Sequence, residues 1–358
     1  MSLDIAFFGS SLVSAYWNGA ATYYRGILQA LAARGHRIAF YEPDAFDRQS
    51  HRDIPDPDWA RVVVYPASAD GIEGALEAAR GADLLVKASG VGVFDALLEA
   101  HIPEMRRPGA LAAFWDVDAP ATLDRLRSDP EDPFRAMIPR YDLVLTYGGG
   151  PPVIAGYTRL GARQCVPIYN GLDPATHHPA APDPRFRCDL GLVANRLPDR
   201  ERRIDEYFLA VAAELPDRTF VLAGAGWDDK KMPANVRYVG HLYTADHNTF
   251  NASALAVLNV SRDSMASCGF SPATRVFEAA GAGACLITDS WDGIQIFFEP
   301  AREILVAASG PAVADHLARL DPAEARRIGE RARLRALAEH TYELRVALLE
   351  RVLAGRRP

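Results

Sequence analysis

Arg275 and Glu278 stand three positions apart in a stretch of helical spacing, so they share one helix face. A guanidinium there can neutralise a diphosphate. A carboxylate accepts two hydroxyl donors at once, which suits the vicinal diol of a ribose. Upstream, Gly269, Ser271 and Pro272 are set to open that helix, because serine suits an N-cap and proline a first turn. The free N–H groups and the dipole make such an end a place for phosphate. Downstream, a turn at Asp292 and Gly293 can bring further backbone N–H groups beside it. An Arg–Glu pair at this spacing also occurs as a plain surface pair. Gly281 and Gly283, the strand 285–288 and the second turn favour a site.

A second cluster is Arg196, Arg200, Arg202 and Arg203, following a strand. Arginines can neutralise phosphates and stabilise a leaving group that otherwise needs a metal. Arg196, nearest the strand end, is the first choice for that role and Arg200 the second. The others are expected at the surface, balanced by Asp199, Glu201 and Asp205. Asp116 and Asp118 end an apolar strand, where a general base would belong. Asp116 is expected as base or acceptor ligand, and Asp118 stands as a second catalytic carboxylate or as the cap of a helix beginning at Ala119. The first loop holds Gly9, Ser10, Tyr16, Trp17 and Asn18. It is not GxGxxG, and the nearest acid on the second strand is Glu42, which counts against a nicotinamide enzyme. Tyr16 and Trp17 suit stacking on a sugar or aromatic acceptor, or the loop packs on its own domain. No HExxH, HxxxH or GxSxG occurs, so zinc hydrolase and serine hydrolase chemistry are disfavoured and no metal ligands are assigned.

The elements that position these residues alternate. Short apolar runs at 4–8, 37–41, 61–65, 83–87, 110–115, 143–146 and 165–168 read as strands, with helical spacing at 19–33, 71–81 and 94–100. Residues 170–187 are rich in proline and read as a linker. The alternation restarts with strands at 189–193, 220–224, 236–240, 255–260 and 284–288, and helices at 203–214 and 272–280. Residues 322–353 are helical. This α/β pattern predicts two Rossmann-like domains: 1–170, a linker 171–187, 188–330, and a C-terminal helical segment 331–358. If they face each other, their strand ends line one cleft.

The chain has 358 residues, 39 Lys+Arg against 46 Asp+Glu, and a net charge of −7. It is long enough for two cores, and the acidic balance argues against wide nucleic-acid binding. Cys165, Cys188, Cys268 and Cys285 form no CxxC pair and are expected as buried free thiols. No apolar run has transmembrane length, and a cytoplasmic protein is expected.

The segments TRVFEAAGAGACLITDSWDGIQIFFEPAREIL, FNASALAVLNVSRDS, NGLDPATHHP and AFWDVDAPATL resemble the GT-B glycosyltransferases, and most of all their spore-maturation CgeB-like branch. The resemblance implies a GT-B fold and transfer of a sugar from a nucleotide-diphosphate donor to an acceptor, with that sugar nucleotide as co-substrate and no resident cofactor. It implies a basic residue near Arg196 on the donor diphosphate, and a base-binding region at Tyr238 and His241. Related retaining enzymes carry two glutamates eight positions apart on this helix. Glu278 matches the later one, which holds the ribose. The earlier position is Phe270, which removes a usual contact to the donor sugar. A nucleotide-sugar epimerase and a non-catalytic nucleotide- or glycan-binding module are the alternative readings.

Overall fold

The structure is a computed structural model that describes residues 2–16 and 18–355. It divides into two units. Unit 1 comprises residues 1–169 and 342–358, and unit 2 comprises residues 170–341.

Unit 1 is built on seven parallel strands: β1 (Asp4–Phe8), β2 (Arg37–Asp44), β3 (Arg61–Pro66), β4 (Leu84–Ala88), β5 (Leu111–Asp116), β6 (Leu143–Thr146) and β7 (Cys165–Pro167). Their order is β3-β2-β1-β4-β5-β6-β7. Unit 2 has six: β8 (Cys188–Val193), β9 (Phe220–Ala223), β10 (Val236–Tyr238), β11 (Ala254–Asn259), β12 (Leu286–Asp289) and β13 (Leu305–Ala307), ordered β10-β9-β8-β11-β12-β13. All the pairings are parallel, as successive βα units require. β4 and β5 are buried along their whole length, because helices cover both faces. That is why they read as continuous apolar runs rather than alternating ones.

In both sheets the strand order reverses beside the first strand, between β1 and β4 and between β8 and β11. Ligands of such sheets bind at the carboxyl ends next to that reversal. In unit 2 the adjoining segments are Ala194–Arg196 after β8 and Val260–Arg262 after β11, so the arginine cluster is delivered to this place by topology.

The predicted linker 171–187 folds as part of unit 2. Asn170 Nδ2 donates to the Pro272 carbonyl at 2.8 Å, and the Leu172 N–H donates to the His340 carbonyl at 2.7 Å. Leu172 and the His177 carbonyl lie so close to Gly281 that a Cβ there would meet them at 2.3 and 2.7 Å. The proline-rich composition thus marks an irregular but packed segment. The predicted C-terminal helical segment is two helices, Pro322–Glu339 in unit 2 and Tyr342–Ala354 in unit 1. Among the described residues no helix is long and apolar enough to cross a membrane. Cys165, Cys188 and Cys285 are buried free thiols, each pushed up to about 12 chiefly by burial, whereas Cys268 is half-buried.

Tyr342 fits against the helix Ala21–Ala33, edge-on to Tyr23 with ring centroids 6.1 Å apart. A Cβ at Gly26 would come within 2.2 Å of its ring. Helix propensity alone makes Gly→Ala stabilising by about 1 kcal/mol. Here the sign is expected to reverse. Gly26→Ala overpacks the contact and destabilises by about 1–3 kcal/mol. Urea unfolding checks this, and a midpoint raised above that of the parent would refute it.

Candidate functional site

The helix Thr274–Gly281 starts two residues later than its sequence suggests. Ala273 occupies the N-cap position, with no side-chain cap bond. The Ser271 hydroxyl instead donates to the Gly269 carbonyl at 2.9 Å, so the expected serine cap is not made. Gly269 has φ +72°, and a Cβ there would meet Asp292 at 2.8 Å. The Phe270 N–H donates to the Asp292 carbonyl at 2.6 Å. Gly293 has φ +89°, and the Phe270 ring fills the space its side chain would take. The two turns singled out in the sequence therefore close on each other, with Phe270 between them.

Glu278 lies on the second turn of this helix and is only 3% exposed. Three cationic or ionisable side chains surround its carboxylate. Arg275 Nη1 is 3.7 Å from Oε2, His247 Nδ1 is 3.9 Å from Oε2, and His177 Nε2 is 4.0 Å from Oε1. Arg275 Nη1, His247 Nδ1, His177 Nε2 and Glu278 Oε2 are all buried polar atoms without a hydrogen-bond partner. Thr274, one turn earlier, bonds the carboxylate through its hydroxyl. Burial pushes the Glu278 carboxyl up, but His177, Arg275, His247 and Thr274 outweigh it, and the group ends below its ordinary value. Burial drives both imidazoles down, His247 to about 4, against the pull of Glu278. At neutral pH the cluster is therefore a carboxylate, a guanidinium and two neutral imidazoles. The ligating atoms of His177, His247 and Glu278 lie within 4.8 Å of one another, so this is also the group among the described residues that could hold a metal ion.

The two histidines were not read as site residues from the sequence. Nothing in their spacing joins them to Glu278. His177 reaches it from the packed proline-rich segment and His247 from the helix Thr244–Ser253.

Of the arginines after β8, Arg196, Arg202 and Arg203 face carboxylates. Arg196 pairs with Glu201 at 2.9 Å and Asp229 at 2.7 Å, and lies over the Trp227 ring. Arg200 donates to the Asn195 carbonyl at 2.8 Å. Arg203 is not the surface residue expected. It is largely buried and donates at 2.6 Å to Asp289, a carboxylate with no solvent exposure at the end of β12. Asp289 also accepts from the Ser261 N–H and hydroxyl, both at 3.1 Å. A buried acid at that strand end needs a cation, and the helix following β8 supplies it. The Tyr238 hydroxyl donates to the Gly224 carbonyl at 2.8 Å, and His241 is exposed, edge-on to Tyr243.

In unit 1, Asp116 has no solvent exposure. One oxygen accepts from the Asp118 N–H at 2.9 Å and the Thr122 hydroxyl at 3.1 Å, and the other accepts from the Tyr157 hydroxyl. A carboxylate so enclosed holds the strand end together and cannot reach an acceptor hydroxyl, which corrects its reading as the base. Asp118 is half-buried at the start of the helix Ala119–Ser128 and makes no side-chain cap bond. In the first loop, Gly9 donates to the Tyr41 carbonyl and Ser10 donates to Asn18 at 2.9 Å. Asn18 donates back to the Ser11 and Ser14 carbonyls. The Tyr16 ring stacks on His51 at 4.0 Å. Ser10 and Asn18 are therefore the loop's own struts, and Trp17 lies outside the described residues. Glu42, fully buried, accepts from the Leu12 N–H at 2.6 Å and the Ser11 hydroxyl at 3.0 Å, so it too serves the loop.

Residues 200–351 match a family model described as glycosyl transferase-like. Sucrose-phosphate synthase from Thermosynechococcus elongatus superposes with a TM-score of 0.73 at 16% identity, over 98% of this chain and 98% of that one. HepE of Anabaena, solved in complex with UDP-glucose, gives 0.70 at 15% identity, over 99% and 100%. The chain has the GT-B fold. A glycosyltransferase involved in avilamycin A biosynthesis shares this GT-B likeness at a TM-score of 0.60 and 18% identity, over 99% and 97%. No curated protein matches the chain. Within the GT-B frame, the matched segment contains the helix of Glu278, the strand β12 and both turns around Phe270.

Proposed function

We propose that the chain is a glycosyltransferase of the CgeB-like branch that takes a nucleoside-diphosphate sugar in unit 2 and transfers the sugar to an acceptor held by unit 1. The observation that carries this is the helix Thr274–Gly281. It combines a start with no side-chain cap and a second turn whose buried carboxylate has an unpartnered oxygen. A diphosphate meets the first and a ribose diol the second. The family match over this segment and the GT-B fold support the same reading.

In this scheme Glu278 accepts from the ribose hydroxyls, and Arg196 and Arg200 face the diphosphate together with the turns at Ser271 and Gly293; Arg275, expected on the diphosphate, is instead buried beside Glu278. For Arg196 that means exchanging Glu201 or Asp229 for phosphate, a like-for-like swap of anions. The leaving diphosphate is neutralised by guanidinium and backbone N–H groups without an obligatory metal. Tyr238 and His241 border the base. Of the two carboxylates at the carboxyl end of β5, Asp118 is the one left to act as general base, since Asp116 is enclosed.

A thermal-shift panel of UDP, GDP, ADP and CDP tests the donor assignment. A ligand that binds the folded chain raises its melting temperature, by about 2.7 kcal/mol of stabilisation at a hundredfold excess over Kd. One member of the panel is expected to stand out, and a panel without any shift would remove the nucleotide reading.

A further inference from the structure

Unit 2 buries a cluster of polar atoms that miss one another. Arg275 Nη1, His247 Nδ1 and Glu278 Oε2 are separated by 3.7 Å and 3.9 Å across the carboxylate oxygen, too far for direct hydrogen bonds. All three are buried without a partner, and Glu278 is more than nine-tenths buried. Native interiors pair such atoms, because a buried polar group left unmade is costly. A single oxygen about 2.8 Å from both His247 Nδ1 and Glu278 Oε2 would subtend roughly a right angle between them, within the range a hydroxyl accommodates.

The same arrangement discriminates between a cation and a hydroxyl. His177, His247 and Glu278 are a donor set a divalent metal would accept. The Arg275 guanidinium, however, lies 3.7 Å from Oε2 of the same carboxylate. A divalent ion would then sit a few ångströms from a fixed positive charge in a poorly screened interior. A neutral hydroxyl meets no such repulsion. It donates to the carboxylate, accepts from the guanidinium, and finds in a neutral imidazole either a lone pair or an N–H.

We propose that His247 and Glu278 together read the cis-diol of the donor's ribose, so that the chain takes ribonucleoside-diphosphate donors and rejects 2′-deoxy donors, thymidine diphosphate sugars included. The inference rests on the reading of Glu278 as the ribose ligand and adds His247 as the residue that sets the preference. A site built around hydroxyls rejects an analogue lacking one, because its own buried groups are then left unpaired.

Calorimetry on the full chain with UDP, 2′-deoxy-UDP, GDP and 2′-deoxy-GDP tests it, for the parent, His247→Ala, His247→Asn and Glu278→Gln. The parent is expected to prefer the ribo form of its favoured base by about tenfold or more. In His247→Ala that preference should fall below about threefold, with affinity for the deoxy form little changed. His247→Asn, which restores a hydrogen-bonding group, should recover part of it. A purely structural role for His247 would weaken both forms alike and leave the ratio intact, and that result overturns the inference. If Glu278→Gln weakens binding but the parent shows no ribo preference, the inference fails while the ribose reading stands. If neither nucleotide binds the parent, or Glu278→Gln leaves affinity unchanged, the ribose reading fails and takes the inference with it. Stoichiometric Co2+ binding with visible absorption, lost in His177→Ala and unaffected by UDP, would make this a metal site and overturn the proposal.

Discussion

Glu278→Gln is expected to keep the fold and to lose about ten- to a hundredfold in nucleoside-diphosphate affinity. Hydrogen bonds to a charged group contribute about 1.5–3 kcal/mol each, and each 1.4 kcal/mol is tenfold in Kd. The amide keeps the side chain's volume in a space where Glu278 is 3% exposed, and keeps one acceptor for Thr274. What it loses is the charge that two hydroxyls would share. Alanine is the less informative replacement. Either replacement removes the counter-charge of the Arg275 guanidinium, largely buried beside Oε2, but alanine also empties the space and removes the acceptor for Thr274. Affinity and unfolding would then fall together. Calorimetry paired with urea unfolding separates the two effects. An unchanged Kd in a folded glutamine variant would refute the assignment.

Acidification is expected to weaken the fold through the two buried imidazoles. His247 is held to about 4 when folded, whereas an unfolded histidine titrates near about 6.5. Between those values the unfolded chain binds a proton that the folded chain refuses. Stability is therefore full above about pH 6.5 and is lost progressively as pH falls toward about 4. A gap of that size corresponds to about 3 kcal/mol from His247. His177, shifted in the same direction by burial, adds to it. Glu278 acts lower: its folded value is below the ordinary 4.5, so its contribution is lost only as pH falls through that depressed value. Urea unfolding at pH 7.0 and pH 4.8 measures the slope. His247→Asn should flatten it, and equal slopes in parent and variant would show that the ring is not buried neutral.

The parallel strands were legible because burial on both faces writes them as apolar runs. β13 was not read from the sequence, although the equally short edge strands β7 and β10 were. Arg275 and Glu278 were legible because a helix turns spacing into proximity. His177 and His247 were not, because what brings them to Glu278 is tertiary packing of an irregular segment and a different helix. The serine cap failed for a local reason. A serine hydroxyl has alternatives to the helix N–H groups, and at Ser271 the Gly269 carbonyl took it. Asp116 failed for a longer-range one. Its position at a strand end was right, but its enclosure comes from Tyr157, on a helix whose approach the strand does not encode.

The return of the chain to its first unit bears on the order of assembly. Residues 170–341 are continuous, so everything unit 2 needs is present once that stretch has left the ribosome. Unit 1 is different: Tyr342, Val346, Leu349 and Leu353 belong to its core cluster. Until they are translated, the notch over Gly26 stays uncovered. The N-terminal half thus emerges first but completes last, and the interval between is when it has most need of a chaperone.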